Sequence, residues 1–271
     1  MRIKINDFSL DFRLSTVLIF LLMIALGYTE QFFILYIFVV IHELIHILAA
    51  HFFGCKCRGI VIMPVGLKGK IDSFENTLLY KRNIILISAP LFNIIVGLIF
   101  NNSYIGIGNI LIGIFNLLPV YPLDGALLFQ NTAGYIFGTL KGEKYIGILS
   151  KICIFILFFV GIICIVLFDF NIFILVISLY LYKENKKLNF IKAFCFYKCI
   201  VKNKNTSINK IRLKKYCENT TLKELLYAFG RDYYTIIYVD GKIIDEDKIK
   251  SCMLKYGLNI TISDILNIFS L

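Results

Sequence analysis

The sequence predicts a polytopic α-helical membrane protein with six transmembrane helices and a small cytosolic α/β tail. Of its 271 residues, 58% are hydrophobic, and the mean hydropathy is +0.77, which is too apolar for a soluble globular domain. Long apolar runs alternate with short basic segments, a pattern typical of membrane-spanning helices. We therefore interpret the net charge of +11 as the charge of cytosolic loops and tail, and we expect no nucleic-acid partner.

The distribution of basic residues predicts the orientation of these helices. Lys and Arg precede the first span and follow the second, fourth and sixth, whereas the other three connections contain neither residue. This positive-inside pattern predicts a multi-pass protein with both termini in the cytosol. The predicted spans are 14–29, 32–53, 84–100, 104–118, 152–168 and 170–182.

Composition divides the chain into three parts. Residues 1–182 are predicted to form the membrane domain, 183–202 a charged linker and 203–271 a cytosolic tail. A tail of this size is close to the lower limit for an independent hydrophobic core, so we expect a second copy of the chain or the membrane domain to support it. The predicted tail elements are a helix over 221–230, a strand over 234–239 with a turn at Asp240-Gly241, and a helix over 247–256.

The second span contains the motif His42-Glu43-Leu44-Ile45-His46. Residues four apart share one face of a helix, so both imidazoles can bind the same zinc ion. Glu43 is then placed to accept a proton from attacking water. Ionisable groups within a span cost about 2.5–3.5 kcal/mol each, so a chance histidine pair satisfied inside a helix bundle is disfavoured and a metal partner is favoured.

A catalytic zinc ion usually has three protein ligands, so two histidines leave one to be found. His51 falls about 140° away from His46 on the helix and is interpreted as an interfacial residue. Asp124 follows two prolines, Pro119 and Pro122, which break the fourth span. An ordinary cytosolic turn is the alternative reading of this segment, but the incomplete histidine pair favours Asp124 as the third ligand of one zinc ion per chain.

The two motifs together resemble the site-2 protease family of intramembrane zinc metalloproteases. His-Glu-x-x-His at 42–46 is followed in a later span by Asn-x-x-Pro-x-x-Pro-Leu-Asp-Gly at 116–125. The resemblance implies that His42, His46 and Asp124 are zinc ligands and that Glu43 is the general base. The six-span form with a cytosolic tail most resembles the stage IV sporulation protein FB branch. That branch cleaves a membrane-associated pro-sigma factor, so the resemblance implies such a protein substrate, cleaved near the cytosolic face, and membrane inhibitory partners.

Three further segments carry parts of the resemblance. Ser-Ala-Pro-Leu-Phe-Asn at 88–93 resembles the family's Gly-Pro-x-x-Asn segment, although Ala89 replaces its glycine, and implies that Asn93 lies near the catalytic centre. Residues 60–71 resemble the hairpin that presents an edge strand to substrate. In the tail, residues 257–264 resemble one cystathionine-beta-synthase motif, which implies an adenine-nucleotide site where Thr261 and Asp264 can contact the ribose. A packing module with no ligand is the alternative interpretation of this segment.

Two other classes of protein are consistent with an apolar chain that carries a polar cluster. A metal-ion or proton-coupled membrane transporter usually has inverted repeats and polar groups in several spans, whereas here they concentrate at one site. A catalytically silent membrane scaffold would not need Glu43. The sequence therefore favours a zinc metalloendopeptidase over both.

Overall fold

A computed structural model gives the structure of this protein. The chain forms two compact units. The first contains Met1–Leu118 and Leu123–Gly125, and the second contains Pro119–Pro122 and Ala126–Leu271. The residues that the structure describes are 2–5, 8–12, 21, 24, 27, 29–63, 66–71, 74, 77–167, 173–186, 210–230 and 232–268.

Three described helices are long and apolar enough to cross a membrane. They are α1 (Thr29–Phe52), whose apolar part is Phe33–Phe52, α2 (Leu79–Ile99) and α5 (Thr139–Leu167). At 1.5 Å per residue each reaches across a hydrocarbon core of about 30 Å. Large apolar side chains on these helices are exposed, as a lipid-facing surface requires: Ile37, Leu48, Phe52, Ile95, Leu98, Phe155 and Ile163.

The remaining predicted spans are not established as crossings. Residues 14–29 lie almost entirely outside the described part of the chain. The fourth corresponds to α3 (Tyr104–Asn116), a shorter apolar helix, and the sixth to α6 (Phe173–Lys186), which has 14 residues. The structure thus supports a helical membrane protein, while the count of six spans stays a prediction.

A four-stranded sheet lies in the first unit beside α1. Its strands are β1 (Arg2–Ile5), β2 (Phe8–Phe12), β3 (Cys57–Met63) and β4 (Gly66–Ile71), in that spatial order. β1–β2 and β3–β4 are antiparallel hairpins, and β2 pairs with β3 in parallel. The second hairpin covers the segment predicted at 60–71. The pairing of this hairpin with the N-terminal β1–β2 hairpin was not predicted. It leaves β4 at one edge of the sheet.

Helices α2 and α3 approach each other closely because glycines lie at their contact. A Cβ atom on Gly113 would lie 2.8 Å from the Pro90 carbonyl oxygen and 3.4 Å from Cβ of Asn93. Small residues allow membrane helices to pack at short distance. This approach brings two fully buried amides, Asn93 of α2 and Asn109 of α3, into direct contact.

The second unit contains most of α4 (Asp124–Phe137), together with α5, α6 and the tail. No helix was predicted for α4, because two prolines precede it and its apolar and polar residues are mixed. Its C-terminal end lies against the tail. The Thr139 amide donates to the Phe229 carbonyl at 3.1 Å, and Arg212 donates to the Ile136 carbonyl at 3.2 Å.

The tail is a small α/β unit with its own core. Its sheet contains β5 (Ile211–Lys215), β6 (Tyr234–Val239) and β7 (Lys242–Asp245) in that order, with β5 parallel to β6 and β6 antiparallel to β7. The core contains Leu225, Ile237 and Ile249, all fully buried, and Leu140 of α5 packs against it. The helices of the tail are α7 (Leu222–Leu226), α8 (Glu246–Tyr256) and α9 (Ile262–Ile268).

The tail elements predicted from sequence are present, although the first helix is shorter than predicted. The structure has only five helical residues, Leu222–Leu226, where a helix over 221–230 was predicted. Most of the predicted linker at 183–202 lies outside the described residues, so the boundaries of the three predicted parts remain predictions.

Candidate metal centre

The two histidines of α1 lie on a buried face of this apolar helix. His42 and His46 are each 5% exposed, while Leu44 and Leu48 between and beyond them are 44% and 63% exposed. The ring centroids are 4.8 Å apart in an edge-to-face arrangement. The four-residue spacing therefore places both imidazoles on the inner side of the helix, as predicted.

Asp124 reaches the same point from the beginning of α4. Its Oδ2 atom lies 3.1 Å from Nε2 of His42 and 2.9 Å from Nε2 of His46. The next residue, Gly125, allows this approach. A Cβ atom there would lie only 2.0 Å from the Leu117 carbonyl oxygen, so any larger residue would force the backbone beside Asp124 to move.

The outer nitrogen of each imidazole has its own partner. Nδ1 of His46 donates to the main-chain carbonyl of Ile85 at 2.7 Å, and Nδ1 of His42 donates to Oδ1 of Asn93 at 2.7 Å. A carbonyl oxygen can only accept, so the proton of a neutral imidazole lies on Nδ1. Both Nε2 lone pairs consequently point towards the Asp124 carboxylate.

This donor set fits a zinc ion. Two Nε2 atoms and one carboxylate oxygen lie within 4.8 Å of one another, and a cation held between these three electron-pair donors would stabilise their close approach. Histidine nitrogen and aspartate oxygen are both zinc ligands, and three protein ligands are typical of a catalytic site. Hydrogen bonding of the outer imidazole nitrogens is also usual for metal-bound histidine.

Glu43 lies beside these groups but makes a different contact. Its carboxylate accepts a hydrogen bond from the Gly69 amide of the edge strand β4. A Cβ atom on Gly69 would be 3.2 Å from Oε1 of Glu43, so the strand backbone packs directly on the carboxylate. Its charge interacts electrostatically with His46, Asp124 and His42. Glu43 is therefore near the three donors without being one of them.

The structure brings together the residues that the sequence singled out, and it adds others. His42, His46, Asp124 and Asn93 meet at the site, whereas His51 is exposed in the last turn of α1. The Ile85 carbonyl and Asn109 were not predicted. A main-chain carbonyl leaves no signal in a sequence. An asparagine within an apolar span does leave one, so Asn109 could have been identified from the sequence.

Apolar helices therefore hold two imidazoles, one carboxylate and a neighbouring glutamate, a group of side chains typical of metal-dependent hydrolases. Comparisons with known proteins agree with this class. The sequence model of peptidase family M50 matches residues 102–160, which include Asp124. Over this stretch the chain is therefore similar to peptidase family M50.

Two relatives are similar over longer stretches. A zinc metalloprotease of Methanocaldococcus jannaschii is 25% identical over 201 residues, which are 66% of this chain and 57% of that protein. The solved structure of a site-2 protease from Methanocaldococcus jannaschii superposes with a TM-score of 0.53 at 24% identity, over 69% of this chain and 94% of that chain. The chain thus spans 57% of the length of the first relative, and the structural likeness supports the fold.

Proposed function

We propose that this chain is an intramembrane zinc metalloendopeptidase that hydrolyses a peptide bond of a membrane-associated protein. The observation that carries the proposal is the convergence of Nε2 of His42 and Nε2 of His46 on Oδ2 of Asp124, at 3.1 and 2.9 Å. This convergence occurs beside helices long and apolar enough to cross a membrane. The relatives named above support the same activity.

The chain's own residues supply binding, orientation and proton transfer. A zinc ion held by His42, His46 and Asp124 would supply a Lewis acid that polarises a peptide carbonyl and makes water a better nucleophile near neutral pH. Glu43 accepts the proton of the attacking water and passes it to the leaving amine. The hydrogen bond from Gly69 fixes the carboxylate until it is needed.

The family branch and the substrate form a further part of the proposal. We assign the chain to the stage IV sporulation protein FB branch, with a pro-sigma factor as substrate, cleavage near the cytosolic face and membrane inhibitory partners. The support is the sequence resemblance, because six predicted spans followed by a cytosolic tail are typical of that branch. The placement of Lys and Arg in alternate connections supports six spans with both termini in the cytosol.

The proposed role of the tail is regulatory. By its resemblance to one cystathionine-beta-synthase motif, the tail would bind an adenine nucleotide and pair with a second copy of the chain. Thr261 and Asp264 engage each other at the start of α9, where the Thr261 amide donates to Oδ2 of Asp264 at 2.8 Å. This is the geometry of a capping box, so a ribose would have to replace an existing contact. Isothermal titration calorimetry of the full chain with ATP tests this part of the proposal. Absence of a heat signal would refute nucleotide binding by the tail.

Co-expression with a tagged candidate pro-sigma factor tests the main proposal. We expect the native chain to convert the substrate to a shorter form. Glu43→Gln should retain one zinc ion per chain and lose cleavage, because the ligands remain while the proton acceptor is gone.

The outcomes separate the other classes of protein. Cleavage by Glu43→Gln at the native rate would refute the mechanism. Zinc binding without any cleavage by the native chain would favour the scaffold, and zinc movement into sealed vesicles would favour the transporter.

A further inference from the structure

A chain of buried hydrogen bonds runs from α3 to the candidate metal centre. Nδ2 of Asn109 donates to the Ile105 carbonyl at 2.9 Å, and Oδ1 of Asn109 accepts from Nδ2 of Asn93 at 2.8 Å. Oδ1 of Asn93 then accepts from Nδ1 of His42 at 2.7 Å. Asn109 and Asn93 are completely buried and His42 is 5% exposed, so water does not compete along this chain.

The direction of this chain of hydrogen bonds is fixed by its first contact, between Asn109 and the Ile105 carbonyl. The Ile105 carbonyl can only accept, so the amide of Asn109 must turn its nitrogen towards that carbonyl and its oxygen towards Asn93. That oxygen in turn requires the nitrogen of Asn93, which leaves the oxygen of Asn93 for His42. One main-chain carbonyl of α3 thus determines which end of each amide faces its neighbour.

We propose that Asn109 is a positioning residue that orients the Asn93 amide and thereby keeps Nε2 of His42 available to a metal ion. The inference rests on the proposed metal site. The oxygen and nitrogen ends of an amide side chain are nearly equal in size, so packing alone does not distinguish the two orientations of Asn93. Among the described residues, the acceptor that Asn109 supplies distinguishes them.

The reversed orientation of Asn93 would disable the site. Its amide nitrogen would then face Nδ1 of His42, which would have to accept, and the proton of a neutral imidazole would move to Nε2. A protonated Nε2 has no lone pair for a metal. His46 is not subject to this ambiguity, because its Nδ1 donates to the main-chain carbonyl of Ile85, which has no second orientation.

Zinc affinity of the purified full-length chain tests the inference. Asn109→Leu keeps the size of the side chain and removes its oxygen, so competition with a chelator should show zinc bound about 10–100-fold more weakly, as for other partners of metal ligands. Ser178→Ala is the matched control. Ser178 is a buried polar residue of α6 whose hydroxyl donates to the Leu175 carbonyl of its own helix, and its loss should leave zinc affinity unchanged.

A double-mutant cycle separates positioning from general support of the fold. If Asn109 acts through Asn93, then Asn109→Leu should cost no further affinity in an Asn93→Ala background, because the amide that it orients is already absent. Losses that simply add would show that Asn109 supports helix packing alone, and would overturn the inference.

The chain contains only three histidines, which makes a direct spectroscopic reading practical. In the zinc-loaded native protein, ¹⁵N-labelled histidine should show Nδ1 protons of His42 and His46 that exchange slowly with solvent. In Asn109→Leu the His42 proton should exchange faster, while that of His46 should not change. Unaltered exchange and affinity in Asn109→Leu would overturn the inference, whereas a native chain without zinc would instead refute the proposed function.

Discussion

Gly125→Ala places a methyl group where the structure leaves no room, one residue from Asp124. The new Cβ atom would lie 2.0 Å from the Leu117 carbonyl oxygen, 2.3 Å from the Leu117 carbonyl carbon and 2.6 Å from the Leu118 carbonyl oxygen. Ordinary van der Waals contact begins at 3.4 Å, so the two backbone segments must separate by about 1.4 Å. All three neighbours are main-chain atoms, which cannot rotate away as the end of a side chain would.

The displacement exceeds what a metal site tolerates. Functional groups must stay within about 0.5 Å of their working positions, and Asp124 is bonded to the residue that moves. Overpacking of this kind costs about 1–3 kcal/mol. If moving Asp124 away from His42 and His46 relieves that strain, zinc affinity should fall about 5- to 150-fold.

The assay is chelator competition for zinc on the full chain, with far-UV circular dichroism to verify helix content. Gly134→Ala is the matched control on the same helix, because its Cβ atom would meet only the Thr139 Cα atom, at 3.6 Å. Glycine to alanine inside a helix otherwise stabilises by about 1 kcal/mol. Native zinc affinity in Gly125→Ala would refute the reasoning that this close approach positions Asp124.

Two further predictions follow from contacts at the metal centre and at the tail. Asp124→Asn should reduce bound zinc well below one per chain, measured by atomic emission on purified protein, because a neutral amide is a poor zinc ligand; unchanged zinc would remove Asp124 from the ligand set. Gly138→Ala should loosen the tail from the α4–α5 junction, since Gly138 has φ +104° and a Cβ atom there would lie 2.3 Å from the Tyr227 carbonyl oxygen. Amide hydrogen exchange in the tail should be faster in Gly138→Ala than in the control Gly241→Ala. Gly241 has a similar φ of +86°, but a Cβ atom there would meet no described atom within 4 Å. Equal exchange rates in the two variants would show that backbone strain alone is responsible.

Local patterns in the sequence determined much of what was predicted. The apolar runs predicted helical membrane segments, because composition alone decides whether a helix can lie in lipid. The spacing of His42 and His46 predicted a shared face, because helix geometry fixes that relation within four residues. The β-branched and aromatic residues of 234–239 and the dipeptide Asp240-Gly241 likewise predicted β6 and the turn after it, because both depend on short-range preferences.

Relations between distant residues needed the tertiary structure. The incomplete histidine pair and the two prolines before Asp124 predicted this residue as a ligand, but only folding brings its Oδ2 atom to 3.1 and 2.9 Å from the two imidazoles. No local pattern predicted that the Ile85 carbonyl would hold His46, because every residue has a carbonyl and position alone decides which one is used. Asn109 was visible as an amide in an apolar segment, yet its contact with Asn93 exists only because glycines let α2 and α3 approach closely. Hydrogen-bond direction is a property of neighbours in space, so tertiary structure decides it.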